Sequence, residues 1–307
     1  MIKFSIPKVK NQEIKSTLLT KKGIQLFIKR EDVIHPYISG NKYRKLKYNL
    51  IEAESKGFKT LLSFGGAFSN HIAAVAAAGK VYGFNTIGVI RGEELETQIN
   101  NNDTLRYANS CGMQLKFISR SSYRLKHTDE FKKALIREFD NFYMIPEGGT
   151  NSLAVKGCEE ILTPSDKDFD VVCSSVGTGG TLSGLINCSK LGQQVLGFQA
   201  LKGDFLQDDI RKFVKNDHWK LIDDYHFGGY AKVNTELINF INDFKDKNDV
   251  PLDPVYTGKM IFGIIDLVKK GYFKEGTRIL AIHTGGLQGI LGMNRKLEKQ
   301  KLPLIAI

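Results

Sequence analysis

The 307-residue chain has 42% apolar and 25% charged residues, an ordinary globular composition that excludes an intrinsically disordered protein. No apolar run approaches the roughly 18–20 residues that cross a bilayer, and the first residues lack the apolar core of a signal peptide, so we expect a cytoplasmic protein without a membrane partner. The net charge of +11 is spread along the chain with no basic block or DNA-binding motif, so nothing supports nucleic-acid binding.

Short β-rich runs alternate with helical patterns from about residue 60 onward, which is typical of an α/β fold built on parallel strands. The helical segment before residue 140 repeats Phe131, Leu135 and Phe139 at every fourth position, which predicts one apolar face. The strands predicted in this half are 61–65, 85–90, 114–119 and 142–146.

A second series of strands follows the Gly148-Gly149 break. Its strands are predicted at 170–177, 194–201 and 278–284, and they are almost continuously apolar. Such strands are buried on both faces, as in a parallel sheet covered by helices. The pattern therefore predicts two α/β lobes of similar design, with no repeat and no low-complexity linker between them.

The four cysteines show no CxxC pair and no histidine at metal-ligand spacing, so no metal site is predicted. Each lies in an apolar context, and we expect buried free thiols in a reducing compartment. They are Cys111, Cys158, Cys173 and Cys188.

The segment VGTGGTLSG (176–184) closes an apolar strand and opens a helix. Glycine lets backbone N–H groups approach an anion, and the helix N-terminus and threonine hydroxyls add favourable interactions, which suits a phosphate group. It is not a dinucleotide fingerprint, because Leu182 stands where the third glycine is needed, and no P-loop occurs in the chain. A plain strand-to-helix turn is the alternative interpretation of this segment.

Three further glycine-rich turns follow predicted strands, at 64–71, 146–151 and 283–289. Ligands of open parallel sheets bind at the carboxyl ends of the strands. Because four such turns occupy matching positions, we expect them to line one cleft.

The segment SGNKYRKLKYNL (39–50) opens a basic helix. Any one of its lysines alone is typical of a solvated surface, and composition does not single out Lys42. A phosphate site without a nucleotide signature is compatible with pyridoxal phosphate, whose aldehyde needs a lysine.

Five motifs in order, SGNKYRKL, SFGGAFSNH, SVGTGGT, DPVYTGK and AIHTGG, resemble the 1-aminocyclopropane-1-carboxylate deaminase / D-cysteine desulfhydrase family over about residues 29–289. The family belongs to the tryptophan synthase β-like, fold type II enzymes of pyridoxal 5'-phosphate. The resemblance implies a homodimer and two α/β lobes with open, twisted, mostly parallel sheets. It also implies a large cofactor-binding lobe of residues 1–45 and 145–307 and a small lobe of residues 46–144, with the active site in the cleft between them.

The resemblance also implies roles for individual residues. Lys42 would hold the cofactor as a Schiff base and carry the Cα proton, and Asn70 would bind the cofactor's ring oxygen. Ser69 would contact the substrate carboxylate or assist proton transfer, and Tyr256 and Tyr230 would be active-site tyrosines. The phosphate would be held by Gly177, Thr178, Gly179, Gly180 and Thr181.

Two departures from the deaminases bear on the substrate. Thr257 and Thr284 stand where the deaminases usually carry glutamate and leucine, and hydroxyl residues at both cofactor-binding positions resemble the desulfhydrase branch. A carboxylate near the pyridine nitrogen deepens the electron sink, whereas a hydroxyl makes a weaker one that still suffices to eliminate a thiolate. His71 stands where the family commonly has glutamine after the SN dipeptide, and the sequence does not indicate what this difference changes.

The sequence therefore predicts a lyase that acts by α,β-elimination on a small amino acid, with D-cysteine giving pyruvate, ammonia and hydrogen sulfide. The alternatives are deamination of 1-aminocyclopropane-1-carboxylate to 2-oxobutanoate, a reaction of D-serine or another β-substituted amino acid, and a non-catalytic pyridoxal phosphate or amino-acid binding protein. A nicotinamide oxidoreductase is disfavoured by the broken fingerprint.

Overall fold

The computed structural model describes residues 2–5, 7–203 and 205–307. The strands are β1 (Asn11–Ile14), β2 (Gln25–Lys29), β3 (Thr60–Gly65), β4 (Asn85–Arg91), β5 (Met113–Ile118), β6 (Tyr143–Ile145), β7 (Val171–Val176), β8 (Gln194–Gln199), β9 (Trp219–Ile222) and β10 (Arg278–Ile282).

The α-helices are α1 (Thr17–Lys21), α2 (Asn41–Ser55), α3 (Asn70–Tyr82), α4 (Asp103–Ser110), α5 (Arg120–Arg124), α6 (Asp129–Phe139), α7 (Ser152–Glu159), α8 (Gly180–Cys188), α9 (Phe205–Arg211), α10 (Thr235–Asn248), α11 (Thr257–Lys269) and α12 (Gly289–Lys299). Segments of 3-10 helix occupy Glu31–Val33, Glu93–Asn101, Glu147–Gly149 and Pro164–Asp166. No helix in the described part of the chain is long and apolar enough to cross a bilayer.

The strands form two sheets. A six-stranded sheet has the order β1-β2-β10-β7-β8-β9, in which only the β1–β2 pair is antiparallel, and a four-stranded sheet has the all-parallel order β5-β4-β3-β6. The six-stranded sheet takes its strands from residues 11–29 and 171–282, and the four-stranded sheet from residues 60–145. The prediction of an α/β fold with two open, mostly parallel sheets is confirmed.

The seven predicted strands are all present, with ends that differ by at most two residues. Strands β1, β2 and β9 were not predicted. Strands β1 and β9 lie at the edges of their sheet, where an apolar run is not required, and β2 pairs with β10, which lies far along the chain. The predicted face of α6 is confirmed, since Leu135 is buried and Phe131 and Phe139 pack against the same cluster beside the four-stranded sheet. Cys158 and Cys173 are buried, but Cys111 and Cys188 are only half-buried, so the expectation of burial was wrong for those two.

Helix α2 connects the two sheets. Its apolar face, with Leu46 and Leu50, packs into the core of the four-stranded sheet. Its first turn is bound to the loop after β10, where the Asn41 amide donates to the Thr284 carbonyl at 3.2 Å. Gly40, at φ +60°, is required at this contact, because a Cβ there would lie 2.0 Å from the same carbonyl oxygen.

A second close approach fixes α2 against α7. Gly157 lies in the last turn of α7, and a Cβ at this position would meet the backbone oxygen of Arg44 at 2.0 Å. The guanidinium of Arg44 is itself held by two hydrogen bonds of 2.9 and 2.8 Å to the buried carboxylate of Glu31. The start of α2 is therefore held from both sides, which leaves it little freedom to shift.

We expect Gly157→Ala to lower the free energy of unfolding by about 3 kcal/mol, as overpacking against backbone does, even though alanine favours helix formation more than glycine. The matched control is Gly289→Ala, which is also helical but meets its nearest atom only at 3.7 Å. Chemical denaturation of both variants tests this expectation. Equal stability of Gly157→Ala and the unmodified protein would contradict the close approach of α2 and α7.

Candidate active site

A cavity of about 280 Å³ lies at the carboxyl ends of β3, β6, β7 and β10. This volume is close to the lower end of ligand pockets, roughly 300 Å³. All four glycine-rich turns predicted from the sequence contribute to its lining, as do the first residues of α2. The predicted site residues on its wall are Lys42, Ser69, Asn70, Gly177, Thr178, Gly179, Thr181, Tyr230, Tyr256 and Thr284.

Lys42 lies in the first turn of α2, and its Nζ donates to Asn41 Oδ1 at 3.0 Å. Burial, and next the positive charge of Lys45, lower the pKa of Lys42 to about 7. A lysine with this pKa is substantially neutral at physiological pH, as an amine must be to attack an aldehyde or to accept a proton.

The turn after β7 leads directly into α8. Gly179 takes the N-cap position at φ +80°, and no side chain caps the helix. The backbone N–H groups of the first turn are therefore available to an anion, and the helix dipole favours negative charge there. Thr178 and Thr181 add hydroxyl groups to the same turn, and Asn41 Nδ2 donates to Thr181 Oγ1 at 2.7 Å.

Lys45 is a further candidate site residue, which sequence reasoning missed. Its Nζ donates to the Gly148 carbonyl at 2.9 Å and to Thr150 Oγ1 at 3.0 Å, and it lies 3.4 Å from Thr178 Oγ1. Burial lowers the pKa of Lys45 to about 8. A signal was present, because Lys45 follows Lys42 by three residues and so shares its helix face.

The uncapped helix and the Lys45 ammonium together fit a phosphate group. Gly180 lies behind the cavity wall, and a Cβ there would come within 2.8 Å of Thr150 Oγ1 and 3.2 Å of Lys45 Nζ. Glycine at this position therefore keeps the cation and the helix start close together. No carboxylate forms an ion pair with Lys45 among the described residues, so its charge is available to an anionic ligand.

The start of α3 forms another wall. Ser69 caps the helix, with its Oγ accepting from the Ile72 amide at 3.2 Å, and Asn70 Oδ1 accepts from Gln288 Nε2 at 2.7 Å. The uncommitted hydroxyl proton of Ser69 can be donated to a ligand. The position suits a carboxylate, because it combines a hydroxyl donor with a helix N-terminus.

His71 supports this wall as a neutral side chain. The Ser63 hydroxyl donates its proton to the Ile145 carbonyl at 2.9 Å, so the 2.8 Å bond between Ser63 Oγ and His71 Nε2 requires the histidine to be the donor. Burial, and then the charges of Lys42 and Lys45, lower the pKa of His71 well below its usual value.

Tyr230 and Tyr256 lie together on the cavity wall, with ring centroids 6.2 Å apart in an edge-to-face arrangement. Burial raises the pKa of Tyr230 and raises that of Tyr256 well above its usual value. The neighbouring hydroxyl acts in opposite directions on the two rings, lowering the pKa of Tyr230 and raising that of Tyr256. Both hydroxyls remain protonated at neutral pH.

The two threonines that distinguish the chain from the deaminases lie in different surroundings. Thr284 is on the cavity wall, where its hydroxyl lies 3.1 Å from the hydroxyl of Ser175. Thr257 is fully buried and is absent from the cavity lining, because its hydroxyl is bonded to Asp253, donating to Oδ1 at 2.7 Å and accepting from the amide at 2.9 Å. The structure therefore places Thr284 on the cavity wall but not Thr257.

The described part of the chain contains no cluster of three or more histidine, cysteine, aspartate or glutamate side chains that could hold a metal ion. Two lysines of lowered pKa, an uncapped helix start and a hydroxyl pair instead suit a phosphorylated aldehyde. This chemistry is that of pyridoxal phosphate, bound through a lysine and a phosphate site.

The chain belongs to the family described as pyridoxal-phosphate dependent enzyme, which matches residues 12–285. It is thus an enzyme of this class, and the cofactor prediction is confirmed.

Among its relatives, a protein of Pyrococcus horikoshii named putative 1-aminocyclopropane-1-carboxylate deaminase is 32% identical over 292 residues, 90% of this chain and 88% of the relative. A mitochondrial protein of Arabidopsis thaliana is named bifunctional D-cysteine desulfhydrase/1-aminocyclopropane-1-carboxylate deaminase. It is 32% identical over 87% of this chain and 74% of the relative's length. The crystal structure of a homologue of 1-aminocyclopropane-1-carboxylate deaminase is 32% identical, covers 96% of this chain and 94% of its own, and has a TM-score of 0.81. The predicted family is confirmed.

We expect cofactor attachment to the cofactor-free protein to depend on pH with a midpoint near 7. The aldehyde reacts with the neutral amine, so the rate rises about tenfold per pH unit below the lowered pKa of Lys42 and levels off above it. Stopped-flow absorbance between pH 5.5 and 9.5 measures this rate. A rate that still climbs tenfold between pH 8 and 9 would show that the pKa of Lys42 is not lowered.

Lys45→Met is expected to weaken cofactor binding by about tenfold or more, since a charge-assisted hydrogen bond contributes about 1.5–3 kcal/mol. The matched control is Lys47→Met, two residues along the same helix, whose Nζ is 2.7 Å from Glu160 and lies outside the cavity. Equilibrium titration with pyridoxal phosphate compares the two. Equal dissociation constants for both variants would exclude Lys45 from the phosphate site.

Proposed function

We propose that the protein is a pyridoxal phosphate-dependent lyase that converts D-cysteine to pyruvate, ammonia and hydrogen sulfide. The observation that carries this proposal is the hydroxyl pair of Ser175 and Thr284 on the cavity wall, 3.1 Å apart. The buried carboxylate of Asp253 is not a substitute partner for a ring nitrogen. It already accepts hydrogen bonds from the Thr257 hydroxyl and from the amides of Val255, Tyr256 and Thr257.

The identity of the groups on this wall affects which bond can be broken. A hydroxyl at the ring nitrogen leaves the cofactor less strongly electron-withdrawing than a carboxylate would. Thiolate is a good leaving group and tolerates the weaker electron sink, whereas opening a cyclopropane ring requires more. The hydroxyl pair therefore supports β-elimination.

The chain's own residues account for both ends of the cofactor. Lys42 would hold the aldehyde carbon, and the turn from Gly177 to Thr181, together with Lys45, would hold the phosphate. Asn70 would contact the ring oxygen. When bound, the cofactor withdraws electrons from the Cα of an amino acid attached to it, which makes the Cα proton acidic.

The remaining residues would act on the substrate. Lys42 is an amine with a lowered pKa and would accept the Cα proton of the substrate. Ser69 and the start of α3 would bind the carboxylate. The protonated side chains of Tyr230 and Tyr256 line the cavity, where they would donate hydrogen bonds to a departing thiolate.

We also propose that a lobe of residues 1–45 and 145–307 and a lobe of residues 46–144 hold this site between them, in a cytoplasmic homodimer. The distribution of strands between the two sheets supports the division.

The second candidate is deamination of 1-aminocyclopropane-1-carboxylate to 2-oxobutanoate. The name of the Pyrococcus horikoshii relative favours it, whereas the name of the Arabidopsis thaliana relative carries both activities. The position of Thr284 and the occupied carboxylate of Asp253 argue against it, since neither supplies the stronger electron sink that ring opening needs.

Release of 2-oxo acid and sulfide from D-cysteine, L-cysteine, D-serine and 1-aminocyclopropane-1-carboxylate tests the proposal. We expect pyruvate and sulfide from D-cysteine, and loss of at least about a thousandfold in rate in Lys42→Ala, because a base and the cofactor attachment are removed together. Lys47→Ala serves as the control and should retain the rate.

Product from 1-aminocyclopropane-1-carboxylate alone would replace the proposal with the second candidate. Bound cofactor with no product from any of a broad panel of amino acids would instead favour a binding protein.

A further inference from the structure

The loop that carries Tyr230 has a backbone that its own residues do not favour. Phe227 and Ala231 take left-handed conformations at φ 53° and 54°, and Gly228 and Gly229 between them have φ of 89° and 115°. A bulky residue such as phenylalanine is rarely found there, because its Cβ crowds the backbone. Contacts outside the loop must therefore hold this shape.

Lys259 supplies such a contact from α11. Its side chain is buried, and its Nζ donates to the carbonyls of His226 and Gly229, each at 2.8 Å. These carbonyls lie at the two ends of the turn that precedes Tyr230. One ammonium group thus spans the whole turn.

Burying this ammonium is costly, which argues against an incidental contact. Burial lowers the pKa of Lys259 to about 8, partly offset by the negative charge of Asp253. No carboxylate forms an ion pair with Lys259 in the described ranges, so the two backbone carbonyls are its direct partners. A buried apolar residue would avoid the cost if packing were its only role.

The same helix positions the second tyrosine. Helix α11 begins at Thr257, immediately after Tyr256, and Phe262 on α11 packs edge-to-face on Phe227 at 5.0 Å. Tyr256 is fixed to α11 by the chain itself, whereas Tyr230 is 42% exposed and comes from a loop. The 6.2 Å spacing of the two rings therefore depends on how the loop is bound to α11.

We propose that Lys259 is the positioning residue for Tyr230: its ammonium binds the turn of residues 226–229 to α11 and so sets Tyr230 against Tyr256. Because Tyr230 is assigned to the substrate side of the cavity, this inference rests on the proposed function. Lys259 itself does not line the cavity.

A double-mutant cycle in the cofactor-loaded protein tests this role. Lys259→Met should lower kcat about tenfold to a hundredfold, the range that small misplacements of catalytic groups produce, with an unchanged dissociation constant for pyridoxal phosphate. In a Tyr230→Phe background, Lys259→Met should cost less than about threefold more, because two residues that act through one contact are not additive. If Lys259→Met does not fold, Lys259→Gln, which keeps two N–H donors without the charge, takes its place.

Lys29→Met is the matched control. Lys29 is equally buried, and its Nζ lies 2.7 Å from a carboxylate oxygen of Asp166; neither residue lines the cavity. Its replacement should therefore reduce stability but leave kcat of the folded enzyme unchanged. A loss of kcat in the double variant equal to the product of the two single losses would overturn the proposal. An equal loss of kcat in Lys29→Met and Lys259→Met would also overturn it.

Amide hydrogen exchange gives a readout that needs no substrate. In Lys259→Met the amides of residues 226–231 should exchange at least about tenfold faster, while those of Lys29→Met keep their rates there. Unchanged exchange in Lys259→Met overturns the proposal. An unmodified protein that turns over no amino acid contradicts only the proposed function, and the exchange result still decides whether Lys259 holds the loop.

Discussion

The site depends on one backbone contact between the two sheets, where the first turn of α2 meets the loop after β10. The Asn41 amide binds the Thr284 carbonyl, and the absence of a side chain at Gly40 makes the approach possible. Lys42 follows directly, so the amine and the hydroxyl of Thr284 are brought to the same cavity by a few residues. A shift of α2 along its axis would move Lys42 and Lys45 together.

The cavity brings two buried lysine amines close to the start of a helix. Lys42 and Lys45 lie near an uncapped helix N-terminus, and burial lowers the pKa of both. The arrangement is unfavourable without an anion and favourable with a phosphate, because the ligand supplies the counter-charge that the protein omits. Burial, and then the charges of these two lysines, also lower the pKa of His71, so the same buried surroundings affect the protonation of three side chains.

Local patterns in the sequence were enough to predict the buried strands, the glycine-rich turns and their convergence, since each depends on a few consecutive residues. Strand β2 was missed because its partner β10 lies about 250 residues later in the chain, and no local pattern carries that information. Lys45 was missed because only the folded turn of residues 148–150 reveals what its ammonium binds. Thr257 was assigned to the cofactor by resemblance alone, whereas the hydrogen bonds of Asp253 keep its hydroxyl away from the cavity.

The strand order also has a consequence for synthesis on the ribosome. The four-stranded sheet is built from one continuous stretch, residues 60–145, and can form while the rest of the chain is still being translated. The six-stranded sheet cannot close so early, because β10 must insert between β2 and β7. The wall that carries Thr284 is therefore added last, and a ribosome-bound chain that stops before residue 278 has its lysine helix but no complete cofactor site.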